Sequence, residues 1–107
     1  MDDSILVTGS SRGIGKAIAL RLAKHGYKII LHCRSRRENA DRVQEQIRES
    51  GGQARVLQFD ISDRNQTRQV LSDDIENHGA YYGVICNAGI TRDAAFPAMT
   101  GDDWDDV

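Results

Sequence analysis

The stretch Thr8-Gly9-Ser10-Ser11-Arg12-Gly13-Ile14-Gly15 directly follows the apolar run Ile5-Leu6-Val7 and leads into a segment with helical periodicity. A short apolar run bounded by a glycine-rich turn is typical of a buried parallel strand. Glycine lets backbone N–H groups approach an anion closely, and the N-terminus of the following helix adds a favourable dipole. This order of strand, turn and helix predicts a phosphate-binding loop at the beginning of an α/β fold.

The glycine spacing of this loop separates it from two similar patterns. A Walker-type loop needs Gly-x-x-x-x-Gly-Lys followed by Ser or Thr, but Ser10 stands in place of its first glycine and Ala17 in place of its hydroxyl residue. The pattern Gly-x-Gly-x-x-Gly also fails, because Gly9, Gly13 and Gly15 are spaced Gly-x-x-x-Gly-x-Gly. A strand-to-helix turn that holds no ligand is the alternative to a phosphate loop.

Segments typical of strands and helices alternate along the whole chain. The predicted strands are residues 5–8, 27–31, 55–59 and 82–86. Three helices are predicted from apolar residues at helical spacing: Ile14, Ala17, Ile18 and Leu22 in the first, Ala40, Val43 and Ile47 within 37–50 in the second, and Val70, Leu71 and Ile75 in the third. Asp63 is predicted to cap the third helix, with Gln66 as its capping-box partner. Right-handed crossovers then predict an α/β fold, a Rossmann-type doubly wound parallel sheet with its first four strands in the order 3-2-1-4.

Composition narrows the class of protein. The chain has 107 residues, enough for one small domain, and 14 Lys and Arg against 16 Asp and Glu give a net charge of −2. This balance and the dispersed basic residues argue against a nucleic-acid partner or an anionic membrane surface. No stretch approaches the ~20 apolar residues of a membrane span, and no secretory signal is visible. We therefore expect a cytoplasmic protein.

The cysteines and histidines show no metal-ligand spacing. Cys33 and Cys86 stand without companion ligands, so they are interpreted as two buried free thiols. His25, His32 and His78 are separated by unrelated spacings and are interpreted as surface or strand-end residues. No metal site is predicted.

The end of the second predicted strand is strongly basic. It reads His32-Cys33-Arg34-Ser35-Arg36-Arg37, without the carboxylate that would bind an adenosine 2′-hydroxyl and repel a 2′-phosphate. The planar guanidinium of Arg34 suits a phosphate, and Arg12 in the glycine-rich loop could reach the same group. The sequence therefore favours NADP(H) over NAD(H). A solvated basic helix start is the alternative, most of all for the last two arginines of the run.

Two further motifs follow the third and fourth predicted strands. Asp60 could accept a hydrogen bond from an adenine amino group while Ile61 lies against the ring; a plain turn or cap role is the alternative for Asp60. The small residues of Asn87-Ala88-Gly89 allow a ligand close to the backbone, although a simple turn is the alternative there. All these motifs fall at carboxyl ends of parallel strands, where ligands bind in open α/β sheets.

Together these motifs carry a resemblance to a known family. The pattern Thr8-Gly9-x-x-x-Gly13-Ile14-Gly15, with Asp60 and Asn87-Ala88-Gly89, resembles the short-chain dehydrogenases/reductases over essentially all 107 residues. Within them, the stretches 7–15 and 87–93 and the later Asp102-Asp103-Trp104 resemble the 3-oxoacyl-[acyl-carrier-protein] reductases. One departure is Cys86, where the family more often has asparagine.

The resemblance implies an activity and a set of cofactor contacts. Such enzymes use NADPH to reduce a 3-oxo group on an acyl chain held by acyl carrier protein, and they are usually homotetramers. The implied contacts are Gly9, Ser10, Ser11, Arg12 and Ile14 for the pyrophosphate and 2′-phosphate side, Arg34 for the 2′-phosphate, Asp60 and Ile61 for adenine, and Asn87, Ala88 and Gly89 for the nicotinamide ribose side.

The family's catalytic residues have no counterpart in these 107 residues. Its helix asparagine is expected just after Val107, and its serine, tyrosine and lysine further on; Tyr81 and Tyr82 match no catalytic position. Thr100-Gly101-Asp102-Asp103 predicts a capped helix start, with an acidic tail as the alternative. Residues 1–107 are therefore interpreted as the N-terminal part of one NADP(H)-binding domain, expected to be inactive and poorly folded alone.

Other functions stay open at this point. A member of the same fold could bind NADP(H) as a sensor without catalysis, and Tyr-x-x-x-Lys in a following segment would discriminate against that hypothesis. A short-chain enzyme for a sugar, steroid or small alcohol is a second alternative, because the residues that select the substrate are expected mostly after residue 107.

Overall fold

Strands and helices alternate strictly in the computed structural model, which describes residues 3–87. The elements are β1 (Ser4–Val7), α1 (Gly13–Lys24), β2 (Lys28–Cys33), α2 (Arg37–Glu49), β3 (Ala54–Gln58), α3 (Arg64–His78) and β4 (Gly83–Ile85). The strands are parallel and lie in the order β3-β2-β1-β4. This confirms the predicted Rossmann-type sheet. The helix predicted to start at Thr100 lies outside the described residues.

The sheet is buried on both faces, which is why its strands read as continuous apolar runs. Leu6 lies beside Ile30 on one side and Val84 on the other. These three residues pack with Phe59 and Leu71 beneath α3. The alternate strand positions form the opposite core with α1 and α2: Ile5, Val7, Ile29, Leu31, Ala19, Ala23, Ala40, Val43 and Ile47. Within residues 3–87, two helices therefore cover one face of the sheet and one helix covers the other.

β2 is longer than the sequence suggested. The prediction ended it at Leu31, but His32 and Cys33 continue the ladder opposite Leu57 and Gln58 of β3. The prediction ended the strand at Leu31 because histidine is polar and therefore interrupts the apolar run. The burial of His32 is not visible in the sequence alone. The extension carries the strand to the edge of the basic segment, so Arg34 follows it directly.

The predicted stripe of α1 was only partly right, because Ile14 and Ala17 are exposed while Ile18 and Leu22 pack against the core. Ile14 is 73% exposed, and the buried residues are instead Gly15, Ala19 and Ala23. This helix approaches the sheet through its smallest side chains, which allow close backbone contact, while Ile18 and Leu22 flank the contact half-buried. A hydrophobicity pattern favours the largest apolar residues and so misses a close-packed face of glycine and alanine. The α2 stripe, in contrast, is confirmed.

The start of α3 shows the predicted cap in a modified form. Asp63 accepts a hydrogen bond from the Gln66 backbone N–H at 3.0 Å, as predicted. The Gln66 side chain does not return to Asp63 but accepts from the Asp60 N–H, at 2.6 Å. The Asp63 N–H is already occupied by the Asp60 carbonyl, at 2.9 Å. The capping-box prediction was therefore half right, and the glutamine braces the loop before the helix.

A charged cluster completes the buried face of α3, where the prediction placed Ile75. Arg55 donates to both carboxylate oxygens of Asp74, at 2.9 and 2.7 Å, and the Tyr81 hydroxyl donates to the same carboxylate at 2.7 Å. Burial opposes the charged form, but these hydrogen bonds outweigh it and lower the pKa of Asp74. Leu71 is buried as predicted, while Val70 and Ile75 are only half-buried.

Tyr81→Phe in the full-length protein is expected to lower the free energy of unfolding by about 1–2 kcal/mol, because a donor to a buried carboxylate is lost. Tyr82→Phe removes the same atom from an adjacent side chain that is 66% exposed, so it serves as the matched control. Urea unfolding followed by circular dichroism checks the difference. Equal losses in both variants would contradict a stabilising role for the cluster.

None of the helices within residues 3–87 combines the length and apolar character needed to cross a bilayer.

Candidate nucleotide-binding site

An open cleft of about 580 Å³ lies at the carboxyl ends of β1, β2 and β3. Three loops line it, each the continuation of one strand. The lining residues are Gly9, Ser11, Arg12, His32, Cys33, Arg34, Ser35, Arg36, Asn39, Asp60, Ile61 and Ser62. The sheet topology therefore brings the glycine-rich loop, the basic segment and the Asp60 loop to one place, as the sequence predicted.

The glycine-rich loop needs glycine at three positions. Gly9 and Gly13 have φ angles of 61° and 60°, a left-handed conformation that other residues rarely adopt. A Cβ on Gly15 would collide with the Gly9 carbonyl oxygen and lie 2.7 Å from Asn87 Nδ2. The third glycine thus lets α1 begin directly against the loop.

The N-terminus of α1 is suited to an anion. Its N-cap residue, Arg12, has no side-chain capping hydrogen bond, and the first turn contains no acidic residue. The first backbone N–H groups of a helix have no partner within the helix, and the helix dipole favours negative charge there. This end of α1 can therefore receive a phosphate group of a ligand in the cleft.

Hydrogen bonds tie the glycine-rich loop to the end of β4. The Thr8 hydroxyl accepts from the Asn87 N–H at 2.8 Å and donates to the Ile85 carbonyl at 3.3 Å. The Asn87 side chain donates to the Gly9 carbonyl at 3.2 Å. Asn87 therefore bridges the end of β4 to the loop that follows β1. Ala88 and Gly89, which the sequence also assigns to this side, lie outside the described residues.

His32 ties the loop to β2 on the other side. Its Nδ1 accepts from the Gly9 N–H at 3.0 Å, and its backbone N–H donates to the Ser10 hydroxyl at 2.8 Å. Its carbonyl accepts from the Ser10 N–H at 3.1 Å. Sequence reasoning placed His32 correctly at a strand end but missed these contacts. The strand's period of two was the available signal, because His32 shares the buried face of Ile30.

The His32 ring is neutral at neutral pH. The side chain is 2% exposed, and this burial lowers its pKa although the Phe59 carbonyl and the Asp60 charge both favour the protonated form. Nε2 lies 2.9 Å from the Phe59 carbonyl oxygen. A carbonyl can only accept, so Nε2 carries the proton and Nδ1 is free to accept from Gly9. Both ring nitrogens are thereby satisfied.

The basic segment divides into residues inside and outside the cleft. Arg34 lines the cleft with a side chain that is 76% exposed, and its Nη2 lies 3.6 Å from Asp60 Oδ2. Arg36 also lines the cleft, from a left-handed backbone conformation with φ of 51° at the N-cap of α2. Arg37 is not among the lining residues and pairs with Asp41 at 3.6 Å, one turn along the helix.

Asp60 is ionised and held in a turn. Its Oδ1 accepts from the Ser62 hydroxyl at 2.7 Å and from the Ser62 N–H at 3.0 Å. These hydrogen bonds, with the charge of Arg34, lower the pKa of Asp60. The turn role considered from sequence is therefore present. Asp60 and Ile61 also line the cleft, and their contact with adenine stays a prediction.

The remaining predicted contacts occupy different positions around the cleft. Gly9, Ser11 and Arg12 line it directly. Ser10 is fully buried, and its hydroxyl accepts a hydrogen bond from the His32 backbone N–H, so it fixes the loop to β2. Ile14 is exposed at the start of α1, outside the lining residues.

The two cysteines differ in burial. The thiol of Cys33 is buried as predicted, whereas Cys86 is half-buried, and burial raises the pKa of Cys86 to about 11.

A parallel sheet in this order, with a glycine-rich loop opening α1 and a cleft across its strand ends, defines a dinucleotide-binding domain of the Rossmann class. A family model described as short chain dehydrogenase matches residues 3–107. The chain belongs to the short-chain dehydrogenase family.

Similarity extends to named relatives in bacteria. The chain is 62% identical over all 107 residues to a 3-oxoacyl-[acyl-carrier-protein] reductase of Aggregatibacter actinomycetemcomitans, and 36% identical to one of Staphylococcus aureus strain Mu50. It spans 44% of the length of each of these curated relatives.

Solved structures show the same fold. A β-ketoacyl-[ACP] reductase from Bacteroides thetaiotaomicron superposes with a TM-score of 0.77 at 30% identity, over 85% of this chain and 42% of that one. A metagenomic short-chain oxidoreductase in complex with NADP superposes with a TM-score of 0.78 at 30% identity, over 96% of this chain and 47% of that one.

Proposed function

We propose that the full-length protein binds NADP(H) in this cleft and reduces a 3-oxoacyl group carried by acyl carrier protein to the 3-hydroxyacyl form. The observation that carries the cofactor proposal is the position of Arg34, an exposed guanidinium at the carboxyl end of β2 that lines the cleft. An acidic residue at this place would instead favour the 2′-hydroxyl of NAD(H).

The charges of the cleft fit the cofactor. Among the described residues that line it are three arginines, Arg12, Arg34 and Arg36, and one acidic residue, Asp60. A phosphate monoester carries a charge of about −1.5 to −2 at pH 7, which this surplus balances. Arg34 also keeps donors for a phosphate, because its distance of 3.6 Å to Asp60 is longer than a charge-assisted hydrogen bond.

The proposal assigns each part of the cofactor to residues at one or two strand ends. The loop from Gly9 to Arg12 and the N-terminus of α1 would hold the pyrophosphate, and Arg34 would hold the 2′-phosphate. Asp60 and Ile61 would hold adenine, while Asn87, Ala88 and Gly89 would face the nicotinamide ribose. The nicotinamide supplies the hydride for carbonyl reduction when it is bound.

The substrate proposal rests on the similarity to named reductases. Identity of 62% over the whole chain with a 3-oxoacyl-[acyl-carrier-protein] reductase supports the same substrate class. The sequence resemblance implies a homotetramer, and we propose a cytoplasmic location, as expected from the sequence. Residues 3–87 supply the cofactor cleft in this proposal. The chain spans 44% of the length of that reductase, and we propose that the catalytic groups belong to the portion of such a protein that these 107 residues do not span.

The full-length protein is expected to oxidise NADPH when a 3-oxoacyl-acyl carrier protein is the substrate. Its kcat/KM for NADPH is expected to be at least about tenfold higher than its kcat/KM for NADH. The assay follows NADPH absorbance, with a sugar ketone and a steroid ketone as competing carbonyl substrates. Turnover of either in preference to the acyl substrate would overturn the substrate assignment. Tight NADPH binding without turnover of any carbonyl would instead indicate a sensor.

A further inference from the structure

His32 connects the ends of three strands through one side chain. Its Nδ1 holds the Gly9 N–H of the phosphate loop, and its Nε2 holds the carbonyl of Phe59, the residue before Asp60. The imidazole and Phe59 rings also pack with centroids 4.3 Å apart. A single buried ring thus joins the loop assigned to the pyrophosphate and the loop assigned to adenine.

We propose that His32 is a positioning residue for the cofactor, and that its Nδ1 must remain unprotonated for the phosphate loop to keep its binding shape. The proposal rests on the proposed NADP(H) function and adds to it a proton-dependent control of affinity. The Gly9 N–H points to Nδ1 in this arrangement. A proton on Nδ1 would set two donors against each other and displace the first glycine of the loop.

The charged and titratable groups around the His32 ring affect the pH at which Nδ1 takes up a proton. The carboxylate of Asp60 faces it from the loop after β3, and Arg12 and Arg34 share the cleft from the other two loops. The thiol of Cys33 belongs to the opposite core. Because burial lowers the pKa of His32 below 6.5, the unfolded chain takes up the proton first as pH falls. Loop stability is therefore complete above about pH 6.5 and declines below it.

Two substitutions separate the two ring contacts. Asparagine places its side-chain oxygen near the position of Nδ1, so His32→Asn keeps an acceptor for Gly9 that does not titrate in this pH range. Glutamine places an amide nitrogen near the position of Nε2, so His32→Gln keeps the donor to Phe59 and loses the acceptor for Gly9. Both keep a polar, hydrogen-bonding group in the buried site.

The test is the Kd for NADPH, measured by fluorescence titration of the full-length protein between pH 5 and 8. At pH 7.5 His32→Asn is expected to weaken NADPH binding by about twofold, a smaller loss than for His32→Gln, because it keeps the acceptor for Gly9 although it loses the donor to Phe59. His32→Gln is expected to bind about fivefold more weakly, the effect of one lost hydrogen bond. Toward pH 5 wild type is expected to lose about fivefold more affinity than His32→Asn. Titration of the 2′-phosphate, with a pKa near 6, affects both proteins equally and cancels in this comparison.

A wild-type measurement keeps the test independent of variant folding. The His32 pKa, followed by NMR with and without saturating NADP+, is expected to fall on binding, because binding and protonation at Nδ1 are reciprocally linked. The charge of a bound phosphate alone would raise it. A raised or unchanged pKa, or equal pH profiles for wild type and His32→Asn, overturns the positioning role. Absence of NADPH binding to wild type at pH 7.5 overturns the proposed function instead.

Discussion

Arg34→Asp in the full-length protein is expected to abolish or invert the preference for NADPH over NADH. Hydrogen bonds to charged groups contribute about 1.5–3 kcal/mol, so losing the guanidinium weakens NADPH binding by roughly 10- to 150-fold. The new carboxylate would also repel the 2′-phosphate and could accept from the ribose hydroxyls of NADH. The Kd values of both cofactors, measured side by side by calorimetry, check the prediction.

Arg37→Asp is the matched control for this experiment. It makes the same charge change three residues further on, at a side chain that pairs with Asp41 and is not among the residues lining the cleft. It is expected to change the Kd for NADPH by less than about threefold, through screened long-range electrostatics. Equal effects of the two substitutions would mean that Arg34 acts only through net charge. Equal binding of NADPH and NADH by wild type would refute the 2′-phosphate contact itself.

The topology could be predicted from the sequence because several independent local patterns indicate the same order of strands and helices. The apolar run Ile5-Leu6-Val7, the glycine-rich turn and the helical stripes each indicate the same βαβ order, and right-handed crossovers leave few other arrangements. The common location of Gly9, Arg34 and Asp60 follows from that order alone, because parallel strands place their carboxyl ends at one edge. Six of the predicted contact residues accordingly line one cleft: Gly9, Ser11, Arg12, Arg34, Asp60 and Ile61.

The details that sequence reasoning missed depend on contacts between distant residues. Asp74 is buried because Arg55 of β3 and Tyr81, in the loop that follows α3, both donate to its carboxylate. His32 is buried because Gly9 and Phe59 satisfy both ring nitrogens. A polar residue is read as exposed unless its partners are known. The partners become visible only when the chain is folded. The period of two in β2 could therefore indicate the face on which His32 lies, but neither periodicity nor composition could assign the partners of His32 or Asp74.

Gly15→Ala is expected to disrupt the cofactor site although alanine is the stronger helix former. Alanine normally stabilises a helix interior by roughly 0.5–1 kcal/mol relative to glycine. Here the added methyl group would collide with the Gly9 carbonyl oxygen and crowd Asn87 Nδ2. Overpacking of this kind costs about 1–3 kcal/mol, and the atoms that must move are backbone atoms of the phosphate loop. The upper part of that range corresponds to a loss of NADPH affinity of about 30- to 150-fold.

Gly83→Ala supplies the matched control, since it adds the same methyl group in β4, where no described atom outside its two chain neighbours lies within 4 Å of the new Cβ. NADPH titration and thermal unfolding of both full-length variants check the prediction. Gly83→Ala is expected to bind NADPH like wild type. A Gly15→Ala variant that binds NADPH normally and unfolds at a higher temperature would show that the loop can shift away from α1 without loss of binding. The close approach of α1 and the loop would then contribute only to packing, and NADPH binding would not depend on the position of the Gly9 carbonyl.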